Sequence, residues 1–236
     1  MTGGLHTVPH VTSRGMDIQT FLFADLSGFT ALTEAHGDFE AAELVGTFNE
    51  VVRALLPVHR GEEIKTIGDA IMIRVPEADG AVRLGLEIVH TFHLKPGFPV
   101  VHVGMHTGSA VKRGSDWLGA SVNVAARVAG SAGGDEVLLT EATHDAVGEI
   151  PGVELESRGK VRFRNVAEPV HVYRAHVQGP RVGGLPIDPV CRMTVAPELR
   201  AGHLLHAGQQ YSFCSLRCAA AFAGDPDRFA PASSAT

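Results

Sequence analysis

The sequence predicts an α+β fold in two parts: a βαββαβ sheet with helices on one face and extra strands at its end, then a small cysteine-containing α+β module. Three observations predict it. Strand-like apolar runs and stretches of helical spacing follow one another as strand, helices, strand, strand, helix, strand, helix, strand. The segment VQGPRVGGLP, residues 177–186, ends all periodicity with three Gly and two Pro. All three cysteines lie after residue 190, behind that break. The element order is that of a ferredoxin-like sheet.

Taken in order, residues 1–16 are rich in Gly, His, Thr and Ser, lack periodicity, and read as a loose arm. Gln19–Ala24 (QTFLFA) is a short apolar run rich in aromatics and predicts a buried strand. Helical spacing begins after Gly28. Asp38 is placed to cap a second helix, in which Phe39, Leu44, Phe48, Val51, Val52 and Leu55 recur at helical spacing before Pro57 and Gly61 end it. Residues 63–67 and 70–75 flank Gly68-Asp69 and predict a hairpin. Helical spacing returns over 78–93, a strand follows at 98–105, and 119–130 reads as a short helix of small residues suited to close packing. Further strands are expected at 136–139, 161–163 and 170–173. The domains predicted are therefore 17–176 and 187–229, joined by the linker 177–186, with a polar tail over 230–236.

Composition excludes several classes. The chain has 236 residues, 44% hydrophobic and 19% charged, values for a packed protein rather than a disordered one. A net charge of −6 gives no reason to expect a nucleic-acid partner. No apolar run approaches the ~20 residues needed to cross a bilayer, so no membrane partner is expected. The N-terminus lacks the apolar core of a signal peptide, which points to the cytoplasm. Three cysteines, an odd number, suit reduced thiols better than a disulfide scaffold.

Two aspartates stand out. Asp25 ends the apolar strand FLFAD, and Asp69 sits at the hairpin turn before AIMI. Central strands would bring the two together, and carboxylates ~4 Å apart repel by about 4 kcal/mol at an effective dielectric of ~20, about three pKa units. Such a pair keeps a proton or takes a cation. Hard oxygen ligands without nearby His or Cys suit Mg²⁺ or Mn²⁺. Behind Asp25, Leu-Ser-Gly-Phe-Thr turns into a helix, whose N-terminal N–H groups face phosphate well. Phe29 and Thr30, which open that helix, are thus substrate-binding candidates.

FADLSGFT, KTIGDA and SDWLGASVNVAAR, in that order and spacing, resemble the catalytic domain of class III nucleotidyl cyclases. The resemblance covers about residues 17–176 and closes on RGKVRFRNVAEPVHVYRA. It implies that Asp25 and Asp69 hold two Mg²⁺ or Mn²⁺ ions, and that Lys65 and Asp116 recognise the base. Adenine offers an acceptor at N1 and a donor at N6, which a Lys and an Asp match, whereas guanine would want a Glu and a small polar residue. ATP is therefore the implied substrate, with a guanylyl cyclase as the disfavoured alternative. Asn123 and Arg127, at i and i+4 on one helix face, fall on the residues that orient the ribose and stabilise charge on the α-phosphate. The implied reaction is that of an adenylyl cyclase: the ribose 3′-oxygen attacks the α-phosphorus and pyrophosphate leaves, giving cyclic AMP. The family's sites are shared across a dimer. Because all six residues occur here, a homodimer with two equivalent sites is implied.

Three departures accompany this. HTG is followed by Ser109 where the family often has a basic residue, a second basic contact falls on Arg162 or Arg164 of the C-terminal strands without a unique match, and the stretch between HTG and SDW, part of the dimer arm, is short. They keep open a catalytically silent nucleotide-binding or metal-sensing protein. Histidines 90, 93, 102 and 106 read as packing or surface residues.

DPVCRM and YSFCSLRC, with the ending FAGDPDRF, resemble a YHS domain over about 187–229. Cys214 and Cys218 are four apart at a helix start and face one way. With Cys191 they offer three soft ligands for Zn or Cu, with His206 as a candidate fourth. The resemblance implies a sensing role that tunes the enzyme.

Overall fold

In the computed structural model, residues 18–179 and 184–230 are described. The expected arm over 1–16, linker residues 180–183 and the tail from 231 lie outside the described residues. The first part runs β1 (Ile18–Leu26), α1 (Phe29–His36), α2 (Asp38–Leu55), β2 (Glu62–Ile67), β3 (Ala70–Val75), α3 (Ala78–His93) and β4 (Val101–Ser109). A small hairpin, β5 (Val111–Arg113) and β6 (Asp116–Leu118), precedes α4 (Ala120–Ala129). Then come β7 (Val137–Thr140), α5 (Glu141–Val147), β8 (Val153–Val161) and β9 (Val170–Val177).

Seven strands form one mixed sheet in the order β2-β3-β1-β4-β7-β9-β8. Its first four strands, all antiparallel neighbours, have the ferredoxin-like order. The predicted α+β fold with extra C-terminal strands is the one observed; β7 joins β4 in parallel, and β9 and β8 extend that side.

β1 lies at the centre, paired with β3 and β4. Its side chains alternate between two cores. Leu22, Ala24 and Leu26 pack with Phe48, Val52, Ile88 and Phe92 of α2 and α3, whereas Phe21 and Phe23 pack with Met72, Trp117, Ala125 and Ala129. Helices therefore cover both faces, where the sequence reading had them on one. The unalternating run FLFA carries the reason: a strand apolar on both sides needs cover on both sides. α4 supplies the second cover, and its small residues do pack closely. A Cβ on Gly104 would lie 2.0 Å from the Ala129 nitrogen, so β4 and α4 meet backbone to backbone.

Three local expectations change. Asp38 is the first residue of α2 and Gly37 takes the cap position at φ 91°. The strand expected at 161–163 is β8, ending at Val161; it is an edge strand whose glutamates 154 and 156 hid its alternation. The β5–β6 hairpin and α5 were not anticipated.

The C-terminal part contains β10 (Gly202–His206), β11 (Gln209–Phe213), α6 (Leu216–Gly224) and α7 (Pro226–Phe229). It does not stand apart. Its first loop runs beside the segment before β4: Thr194 N–H donates to Phe98 C=O (2.8 Å), and Val100 N–H to Arg192 C=O (3.0 Å). One apolar cluster joins Val190, Met193, Tyr211, Phe213 and Phe222 to Leu32 of α1 and Ala41 of α2. A segment this small buries little surface alone and borrows the larger domain's helices. No helix among the described residues is long and apolar enough to cross a membrane.

Candidate active site

Asp25 is the penultimate residue of β1, paired with Ala70 on one side and His102 on the other. Ala70 follows Asp69 in the β2–β3 turn, where Gly68 adopts φ 64°. The antiparallel register therefore brings the two carboxyls to one end of the central strands, close enough for the Asp25 charge to act on Asp69. Burial pushes Asp25 above the usual carboxylate range. Burial and then the Asp25 charge push Asp69 up to about 6. Asp25 Oδ1 is buried with no hydrogen-bond partner. A pair of hard oxygen donors, one of them unsatisfied and both reluctant to ionise together, fits a divalent cation such as Mg²⁺ or Mn²⁺.

His102 belongs to this site, though the sequence reading set it aside as a packing residue. Its Nε2 is 3.6 Å from Asp25 Oδ2, and Nδ1 is 3.0 Å from Ser27 Oγ. Burial lowers its pKa against the opposing carboxylates. The pairing Asp25↔His102 is a cross-strand contact, invisible before the register of β1 and β4 is known.

The turn after Asp25 is tight. Ser27 N–H donates to Val100 C=O (2.9 Å), and Gly28 at φ 73° turns the chain into α1. Phe29 is half-buried against both neighbouring cores, and Thr30 is exposed beside it.

Lys65 and Asp116 meet. Lys65 Nζ donates to Asp116 Oδ2 over 2.6 Å, joining β2 to the tip of β6, and Trp117 N–H holds the other oxygen at 2.8 Å. This contact holds the Asp116 carboxyl below the usual range. The pair stands apart from the aspartates. Lys65 opposes Met72, which opposes Phe23; two strand spacings and two residues put it about 12 Å from Asp25. Asn123 and Arg127 are exposed on α4, on the side opposite buried Ser121, Ala125 and Val128.

The Adenylate and Guanylate cyclase catalytic domain family matches residues 11–176, and the YHS domain family matches 187–233. The chain belongs to the cyclase family and ends in a YHS domain. A pH-sensitive adenylate cyclase of Mycobacterium tuberculosis is 35% identical over 169 residues, covering 70% of this chain and 42% of that protein. An adenylate cyclase of Streptomyces coelicolor is 34% identical over 120 residues, covering 51% of this chain and 32% of that protein. The chain spans less than half the length of these curated relatives. Among solved structures, an adenylate cyclase of Trypanosoma brucei in its monomeric state superposes with a TM-score of 0.63 at 25% identity, covering 71% of this chain and 91% of that one. The adenylyl cyclase CyaB of P. aeruginosa gives 0.60 at 18% identity, covering 70% and 97%.

Within the cyclase domain, Arg162 and Arg164 are exposed just beyond β8, four strands from β1. Between them Phe163 is buried and folds back against Val128 of α4 and Leu138 of β7. A different arginine lies at the turn after Asp25. Arg192, from the YHS domain, lays its Cγ against Gly28, where a Cβ would come within 2.7 Å of it.

The three cysteines of the YHS domain converge. Cys191 Sγ is 3.4 Å and Cys218 Sγ 3.8 Å from Cys214 Sγ. His206 is not with them. Its Nε2 sits 3.4 Å from Asp227 Oδ1, and its ring meets the edge of Phe222. The histidine that joins the thiols is His36, the last residue of α1. Nothing in local spacing marks a ligand 178 residues from Cys214.

Proposed function

We propose that this chain is an adenylate cyclase that converts ATP to 3′,5′-cyclic AMP and pyrophosphate. The observation that carries the reading is the Lys65–Asp116 pair, formed at 2.6 Å with Lys65 two strands over from Asp25. Lys65 keeps two N–H groups beyond the one given to Asp116, so the pair can donate to adenine N1 and accept from the N6 amino group. Guanine, with the opposite edge, would leave both groups unpaired, and unpaired partners are what make such sites selective.

Asp25 and Asp69 would hold two Mg²⁺ or Mn²⁺ ions, which when bound neutralise the triphosphate and favour ionisation of the 3′-hydroxyl. The chain's own groups do the rest. The α1 N-terminus, from Gly28 onward, offers backbone N–H groups to the phosphates. Asn123 orients the ribose, and Arg127 stabilises the charge that develops on the α-phosphate. The 3′-oxygen bonds to the α-phosphorus, the bond to the bridging oxygen breaks, and pyrophosphate departs; the 3′-hydroxyl proton passes to solvent.

The functional unit of this reading is a homodimer. Asn123 and Arg127 face away from their own Asp25, so a second copy would complete each site. Exposed Ile67 and Leu118 lie on β2 and β6, the strands that carry Lys65 and Asp116, and exposed Val111 pairs with Leu118 from β5, as a dimer surface requires. The C-terminal YHS domain is placed in this reading as a modulator. The test is to incubate the chain with ATP or GTP and Mn²⁺ and measure cyclic nucleotide. Cyclic AMP from ATP alone is expected. A preference for GTP, or no product from a dimeric folded protein, overturns the reading.

A further inference from the structure

We propose that His36, Cys191, Cys214 and Cys218 form a closed zinc site that clamps the YHS domain to the catalytic helix α1. The four donor atoms lie within 4.8 Å of one another. Tetrahedral zinc with bonds of ~2.3 Å to sulfur and ~2.05 Å to nitrogen sets S···S near ~3.8 Å and S···N near ~3.6 Å. Cys214–Cys218 is 3.8 Å and Cys214–His36 is 3.5 Å; Cys191–Cys214, at 3.4 Å, needs only a few tenths of an ångström. Three thiolates and one imidazole, with no carboxylate among the ligands, are the donor set of structural zinc.

The surroundings hold those donors in place. His36 turns Nε2 to the thiols and places Nδ1 3.3 Å from Glu40 Oε1, one turn on across the α1–α2 junction, the carboxylate–histidine arrangement that fixes a ligand ring. Asp188, wholly buried, accepts from Val190 N–H at 2.9 Å and from Cys214 N–H at 2.9 Å, tying the two cysteine loops together. Ser215 caps α6 by accepting from Cys218 N–H at 3.1 Å. Cys191 and Cys218 are buried and Cys214 partly so. With four protein donors the site has no open position, which makes it structural rather than catalytic.

Its position gives it reach. His36 ends the helix that Gly28 begins, eight residues and about 12 Å from the phosphate-facing turn. Cys191 is followed by Arg192, whose stem covers Gly28. Zinc would therefore fix both ends of α1 against the YHS domain. This coupling to catalysis rests on the cyclase reading above, whereas the metal site does not.

The experiment uses the full chain, purified under reducing conditions, stripped with chelator and titrated with Co²⁺ and then Zn²⁺. One Co²⁺ per chain with a sulfur-to-cobalt charge-transfer band is expected, displaced by one Zn²⁺; that band separates this site from the carboxylates. His36→Ala should weaken Zn²⁺ binding at least tenfold, Glu40→Gln should weaken it while keeping the fold, and His206→Ala should leave it unchanged. Loss with His206→Ala but not His36→Ala overturns the proposal, as does a Cys191–Cys214 disulfide or absence of the band in the folded wild-type chain. Cyclic AMP formation is then compared between zinc-loaded and zinc-free protein at saturating Mn²⁺. A change of threefold or more is expected, and equal rates overturn the coupling. If neither form makes cyclic nucleotide, the cyclase reading fails and the cobalt band still decides the site.

Discussion

Lys65 Nζ donates to Asp116 Oδ2 across 2.6 Å, joining two hairpins that are 51 residues apart in the chain. Both side chains remain more than a third exposed, so the contact contributes little to stability and is available to a ligand.

Base selectivity should follow that pair. Each two-point polar match is worth about 1–3 kcal/mol of discrimination, roughly five- to 150-fold. Lys65→Glu should lower kcat/KM for ATP by at least tenfold, and Lys65→Glu with Asp116→Ser should move the ATP:GTP ratio toward GTP. Steady-state kinetics with both nucleotides checks this, and melting temperatures should stay within about 2 °C of wild type.

Mixing should restore activity. Asp25→Ala and Arg127→Ala each disable every site of their own homodimers. In an equal mixture about half the dimers are mixed and each has one intact site, so about a quarter of wild-type activity is expected. Activity that stays at the level of the single variants in a mixture shown to exchange subunits would sink the shared-site arrangement.

Acid should act on the carboxylate pair with a definite sign. Burial and Asp25 raise Asp69 from 3.8 to about 6, so its ionised form costs stability at neutral pH. Protonation removes that cost as pH falls through 6 toward 3.8. In the proposed site a divalent cation would replace the proton. Mn²⁺ should therefore raise the melting temperature more at pH 7.5 than at pH 5.5, and Asp69→Asn should erase the difference. Thermal unfolding with and without Mn²⁺ measures it.

Gly104→Ala should be severe. Its Cβ would fall 2.0 Å from Ala129 N and 2.3 Å from Ala129 Cα, both backbone atoms with no rotamer to give. Overpacking of this kind costs about 3 kcal/mol. Urea unfolding should register the loss, and because α4 carries Asn123 and Arg127, activity should fall in the folded fraction as well.

Much of this was readable from local pattern. The FLFAD run, the Gly68-Asp69 turn and the small-residue helix at 119–130 each carry their conformation in a few neighbouring residues. The charged edge strand β8 and the hairpin at 111–118 were not legible, because their apolar periodicity is weak or short. His102 reads as a packing residue for another reason: its carboxylate partner lies across a strand pair. His206 looked like the better fourth ligand because it is close in sequence to Cys214. It faces Asp227 instead.

By itself, then, the sequence determined the order of the main strands and helices from β1 to β7, the ferredoxin-like core, the position of each motif and the family, because periodicity and turn chemistry act over a few residues. Tertiary structure alone decided that helices cover both faces of β1 and that Lys65 meets Asp116 while Asn123 and Arg127 turn outward. It also decided that His36 rather than His206 joins the cysteines. These are pairings between residues 51 and 178 positions apart, set by strand register and by a small domain that completes its core against α1 and α2. No local pattern encodes them, since burial selects the partner only once the layers have packed.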